Sequence, residues 1–149
     1  MSFDELSATG TLRRVVTGSR DRSGPIELLG RVAYGRLATS VRALPFLAVA
    51  RHIVSDGRIL LRMHSGFGHH EACDGSVVAY GADNYNDAAS RTGDALWSVQ
   101  FTGPAEIVRP CPEQEKRFGA PPATVNGEPF APAYLRVYPH FVTQHTLDF

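Results

Sequence analysis

The segment "LPFLAVARHIVSDGRILLRMH", residues 44–64, constrains the fold more than any other part of the chain. Two apolar runs rich in branched residues flank Ser55-Asp56-Gly57. An Asp-Gly pair between such runs is a strong signal for a tight hairpin turn. In the first run Phe46, Ala48 and Ala50 fall on one face, and Leu47, Val49 and Arg51 on the other. That is the period-two pattern of a strand. The chain here doubles back on itself as antiparallel sheet.

Four more segments read as strands: "YGRLATSV", "SVVAYGAD", "ALWSVQFTGPAEIV" and "YLRVYPHFVTQHTLDF". Thr102-Gly103-Pro104 predicts a bend or bulge in the long fifth strand, and Pro139 predicts a bend in the sixth. "GPIELLGRV" and "CPEQEKRF" read as short helices with proline in the first turn. "GAPPATVNGEPFAPA" is a loop by composition. Six mostly antiparallel strands with few, short helices predict a small barrel rather than a sandwich or a doubly wound sheet, because closure removes exposed sheet edges.

The length of 149 residues suits one domain with a real core. Residues 1–23 are polar and predict a loosely held arm, with one short helix or strand around Leu12–Val16. Residues 24–149 form the domain. The formal net charge is zero, so nothing in the charge balance points to nucleic acid or a lipid surface. The acidic start "MSFDELSATG" lacks an apolar signal core, so a cytoplasmic protein is expected. In that setting Cys73 and Cys111 are expected to be free thiols.

The stretch "LLRMHSGFGHHEACDG", residues 60–75, admits three readings. His64, His69, His70, Glu71, Cys73 and Asp74 are all possible metal ligands, but their spacing matches no usual zinc pattern, so no metal is expected. A glycine-containing turn leading into a helix, with Arg62 beside it, has the parts of an anion cradle. The plain reading is a solvated surface turn. No nucleophile elbow, phosphate loop or spaced carboxylate pair occurs elsewhere.

The order "GRLAT", then the Asp-Gly hairpin, then "VVAYGAD", then "GDALWSVQFTGPAEIV" resembles the pyridoxamine 5'-phosphate oxidase-like family, the FMN-binding split barrels. The resemblance covers residues 26–147. It implies a mainly β, six-stranded antiparallel split barrel with a few short helices. It also implies a homodimer with FMN in a groove between subunits. The groove wall then comes from Phe46, Leu47, Ala48 and Val49. The phosphate turn comes from Arg62, Met63, His64, Ser65, His69 and His70, with the histidine pair standing where the family carries Lys or Arg. Trp97, the only tryptophan, and Ser98 would reach the flavin from the second subunit. Trp97 also reads as plain core or interface packing. Asn84 and Tyr85 would border the substrate opening, and Arg36 is read as peripheral.

A flavin carries its own chemistry, which explains the lack of a catalytic constellation. The resemblance therefore implies an FMN-dependent oxidoreductase acting on an unknown small molecule. The alternative is a non-catalytic carrier or sensor of flavin, deazaflavin or haem. The chain ends in "VTQHTLDF" without the family's arginine-rich segment, so a vitamin B6 phosphate is not the expected substrate.

Overall fold

The structure, a computed structural model, describes residues 11–17, 23–86 and 95–148. In chain order these form β1 (Thr11–Thr17), α1 (Ser23–Leu29), β2 (Tyr34–Val41), β3 (Leu44–Ser55) and β4 (Arg58–His64). A 3-10 turn (Ser65–Phe67) leads into α2 (His69–Cys73), followed by β5 (Val77–Asp83) and β6 (Leu96–Ile107). Then come α3 (Pro112–Phe118), the short β7 (Thr124–Val125) and β8 (Glu128–Pro129), β9 (Pro132–Val137) and β10 (Phe141–Asp148).

The sheet order is β1-β10-β6-β5-β2-β3-β4-β9, and β9 pairs again with β6. The six strands β6, β5, β2, β3, β4 and β9 therefore close into the expected antiparallel barrel. β10 and β1 extend from β6 as a flap outside the ring.

Local chemistry explains the turns. Asp56 and Gly57 have φ of 53° and 73°, the left-handed pair that the Asp-Gly signal requires. The β2–β3 turn takes the same path with Arg42 at φ 52° and Ala43 at φ 68°. A side chain in that conformation costs roughly 1–2 kcal/mol per residue, so the two strands must hold the turn in place. α3 starts with Pro112, and the Gln114 side chain accepts a hydrogen bond from the Cys111 N–H at 3.0 Å.

The last segment departs from the single bent strand expected. The β9 end pairs with Ala105–Ile107 of β6, and β10 pairs with Leu96–Thr102 of the same strand. The chain changes position along β6 at Tyr138-Pro139-His140, beside the bend at Thr102-Gly103-Pro104. Tyr138 N–H donates to Pro104 O at 3.1 Å and His140 N–H to Thr102 O at 2.9 Å. The 119–131 loop also departs from expectation, because Asn126-Gly127 turns the small β7–β8 hairpin within it.

The core fills the barrel with inward residues of alternate positions. Leu37, Ile59, Leu61, Val99, Leu135 and Val137 are fully buried, with Tyr80 and Phe101 among them. α1 plugs one end through Ile26 and Leu29. Outside, Arg136 on β9 pairs with Glu106 directly across from it on β6, which holds the Glu106 carboxyl below the usual range. No helix among the described residues is long and apolar enough to cross a membrane.

Candidate functional site

β3 and β4 are laddered only from Arg51↔Arg62 to Ser55↔Arg58. On its other edge β3 stays paired with β2 as far as Leu44. Past Arg51 the two strands part, and β4 continues along β9 through Met63 and His64. This parting opens a groove of about 350 Å³. One lip is Leu47–Ala50 and the other is Met63–His64. The 3-10 turn and α2 close one end with Phe67 and His69, and the 119–131 loop forms the far wall with Pro122, Val125 and Phe130.

The structure brings together most of the residues expected at this site. Leu47 and Val49 are 66% and 61% exposed. Ala48 and Ala50 turn toward the barrel, as their alternation requires. Phe46 lies just past the groove and stacks on His69, with centroids 4.3 Å apart at 23°. Rings continue from there. Phe67 meets His69 at 5.8 Å, His64 meets Phe67 at 5.0 Å, and His64 meets Phe130 at 5.5 Å.

Arg62 is buried along the groove with its guanidinium on the far loop. Nη1 donates to Gly119 O at 2.9 Å and Nη2 lies 3.5 Å from Ala120 O. The Phe118 ring lies below it at 5.3 Å. The neighbouring Arg51 likewise donates to the carbonyls of His52 and Arg117. Arg62 therefore braces the start of the loop that walls the groove, and Arg51 ties β3 to the end of α3. Ser65 braces the same loop through its backbone, donating to Ala131 O at 2.7 Å.

His64 accepts a hydrogen bond at Nδ1 from the Ala131 N–H at 3.1 Å. Its proton therefore sits on Nε2 when the ring is neutral. Gly66 makes room for that nitrogen, since a Cβ there would lie 2.3 Å from it. His70 points elsewhere, and its Nδ1 is buried without a hydrogen-bond partner. α2 is only five residues long, so it brings little helix-dipole field to bear on an anion.

Trp97 and Ser98 do not line this groove. Trp97 is packed in the core, and its backbone N–H donates to Asn84 Oδ1 at 2.8 Å. Asn84 also donates to Ala95 O at 3.2 Å, tying the end of β5 to the residue before β6. Ser98 sits on the outer face of β6, opposite Asp83 and His145. Arg36 is exposed and borders a second, polar cavity of about 470 Å³ with Arg31 and Asp83.

Tyr34, Arg51, Phe67 and Phe130 join the groove without having been singled out in the sequence. Phe130 had one usable signal, an isolated aromatic in an otherwise small and polar loop. Burial pushes the Cys73 thiol up to about 11, so it is no nucleophile. Among the described residues no three His, Cys, Asp or Glu side chains gather to hold a metal ion.

Comparison with known proteins follows the same line. Residues 21–145 match the family model for pyridoxamine 5'-phosphate oxidase. An uncharacterized protein of Mycobacterium tuberculosis is 39% identical over 103 residues, 66% of this chain and 64% of that protein. The match thus spans less than two thirds of that relative. The FAD binding protein of Mycobacterium smegmatis superposes with a TM-score of 0.65 at 23% identity, covering 91% of this chain and 99% of the other. An FAD-binding protein of Mesorhizobium loti gives 0.62 at 14% identity, covering 94% and 99%. At these identities the two superpositions speak for a shared fold.

Proposed function

The chain belongs to the pyridoxamine 5'-phosphate oxidase family, and on that premise we propose that it binds a flavin in the groove between β3 and β4. The observation that carries this reading is the parting of those strands past Arg51. It leaves a lip of β3 with backbone N–H and C=O groups not laddered to β4, beside an apolar slot. A flavin ring needs both: flat apolar contact for its faces, and hydrogen bonds for its carbonyls and ring nitrogens. Leu47, Val49 and Met63 provide the contact, and the small Ala48 lets a ring approach the backbone. The similarity in fold to two FAD-binding proteins supports the same reading. FMN is the minimal nucleotide that it requires.

The site is completed on this proposal by a second copy of the chain. The strand registers align Leu47, Ala38, Ala79, Thr102 and Phe141 in one row across five strands. Cross-strand partners share a face, so this row lies on the outside of the barrel. It is shallow in the middle, with Leu47 and Phe141 standing 66% and 60% exposed at its ends. Apolar exposure of that kind favours burial against another protein surface. A second copy would bring the outer face of its β6, at Ser98 and Gln100, over the open side of the groove.

A bound flavin supplies hydride chemistry, and this chain supplies its binding, orientation and shielding from water. We therefore read the protein as a homodimeric flavin oxidoreductase acting on a small molecule. The engagement of Arg51 and Arg62 by peptide carbonyls leaves no free arginine among the described residues of the groove for a charged substrate. That favours, as a second reading, a flavin carrier or sensor without turnover. The absorbance spectrum of untagged protein tests the common part. A flavin spectrum, as purified or after reconstitution with FMN, supports it, and no uptake of flavin overturns it. Anaerobic bleaching of that spectrum by NADH or NADPH then selects the oxidoreductase, and a stable oxidised spectrum selects the carrier.

A further inference from the structure

We infer that the polar cavity beside the groove is an anion site, and that it holds the carboxylate or phosphate of an organic substrate whose other end reaches the groove. The link to the groove rests on the proposed flavin reading; the anion site itself does not. The cavity has a structural cause. β2 is laddered to β5 only over Arg36–Ala38. Both strands run on, β2 from Tyr34 and β5 to Asp83, but no longer paired with each other. This second parting, together with residues 31–33 ahead of β2, opens a space of about 470 Å³.

The charges around that space are unbalanced. Arg31, Arg36 and Asp83 are its charged lining residues among those described. Among the described residues neither arginine side chain has a hydrogen-bond or ion-pair partner. Asp83 faces its own turn, where Oδ1 accepts from the Tyr85 N–H at 3.0 Å. Two guanidinium groups against one engaged carboxylate leave the cavity positive. A guanidinium without a protein partner presents a fork of donors that matches a carboxylate or a phosphate. Arg51 and Arg62, by contrast, already donate to peptide carbonyls. The charged end of a substrate is thus held outside the groove rather than within it.

Position ties the two spaces together. Tyr34 lines both. Arg36 lies directly across from Val49 of the groove lip, about 5 Å away by the spacing of paired strands, and cross-strand partners share a face. On its other side stands Gly81, which has no side chain to cover it. A molecule with its anionic end on Arg36 therefore extends past Tyr34 toward a ring seated against Val49.

Calorimetric titration of the full chain, with FMN present, by benzoate, phenyl phosphate and the neutral benzamide tests this. At least one of the two anions is expected to bind roughly tenfold or more tighter than benzamide, the factor that a charge-assisted hydrogen bond supplies. The tighter of the two identifies the class of anion. The preference should shrink at high salt, because both arginines are exposed. Arg36→Gln and Arg31→Gln should each lower anion affinity about tenfold, leaving benzamide affinity, FMN affinity and the mass in solution unchanged. Anion binding should also shift the flavin absorbance. Benzamide binding as tightly as both anions, or anion affinity unchanged in both variants, overturns the anion site while leaving the flavin groove standing. Arginine-dependent anion binding without a flavin shift overturns the link between the two spaces. Arginine-dependent anion binding by protein that takes up no FMN overturns the flavin reading and leaves the anion site standing.

Discussion

His52 is the most constrained polar side chain in the barrel. It is 1% exposed on β3, and its imidazole joins two distant segments. Nε2 donates to Leu29 O at 2.7 Å, at the end of α1, and Nδ1 accepts from the Tyr80 hydroxyl of β5 at 2.5 Å. Nδ1 accepts only in the neutral ring, whereas the Leu29 bond is made in either protonation state. Burial favours that form and lowers the pKa below 6.5, helped by the nearby Arg51 charge and opposed by the Leu29 hydrogen bond. The folded value therefore lies below the unfolded one. Stability from this residue is full above about pH 6.5 and is lost as pH falls below it, because the unfolded chain then binds the proton first. The urea midpoint should be level between about pH 8 and 7 and drop between about pH 6.5 and 5. His52→Gln should flatten that drop, and an unchanged pH profile in the variant would refute the assignment. Gly35 belongs to the same arrangement, since a Cβ there would lie 2.5 Å from the Tyr80 hydroxyl. None of this was legible in the sequence. Alternation marks His52 as an inward strand position, but its partners Leu29 and Tyr80 lie 23 and 28 residues away.

At the scale of elements, β6 is the seam of the molecule. One of its edges pairs with β5 over Ser98–Pro104, and the other is shared by β9 and β10. The exchange happens at Gly103, where a Cβ would lie 1.7 Å from Tyr138 O. That contact is with backbone and cannot be relieved by a rotamer change. Gly103→Ala should therefore destabilise the fold by roughly 3 kcal/mol or more, read as a lower thermal midpoint or as insoluble protein. Gly57→Ala, where nothing lies within 4 Å, should show only the smaller penalty of its positive φ. A Gly103→Ala protein as stable as Gly57→Ala would contradict the seam. Both bends could be read from the sequence, because Gly-Pro and Pro139 punctuate strands by known chemistry. Their adjacency in space could not, since it depends on which edge of β6 each half of the last segment meets. The β2–β3 turn was hidden differently. Arg42 and Ala43 carry no turn signal, and only the pairing on either side forces them into the left-handed region.

At the scale of the whole molecule, the order of segments made the barrel legible, together with the lips of its groove at Leu47–Val49 and Met63–His64. The far wall was missed although Asn126-Gly127 carries a hairpin signal, because the Pro- and Ala-rich residues around it show no alternation to mark the two short strands. Arg62 looked like an anion ligand for a related reason: the sequence shows a cation beside a turn but not the carbonyls it meets. The central claim is that a groove at the face between two copies of this chain holds a flavin. The most direct measurement titrates flavin into wild type and Phe141→Asp while light scattering reports mass. Phe141 is 60% exposed and lies outside the groove, so the charge should leave the barrel folded and the flavin contacts of its own chain intact, as circular dichroism would record for the fold. The account predicts a wild-type dimer binding about one flavin per chain, and a folded Phe141→Asp monomer that binds it at least about tenfold more weakly, the loss expected from uncovering the ring. A wild-type monomer that binds flavin, or a monomeric variant that binds it with undiminished affinity, would contradict it.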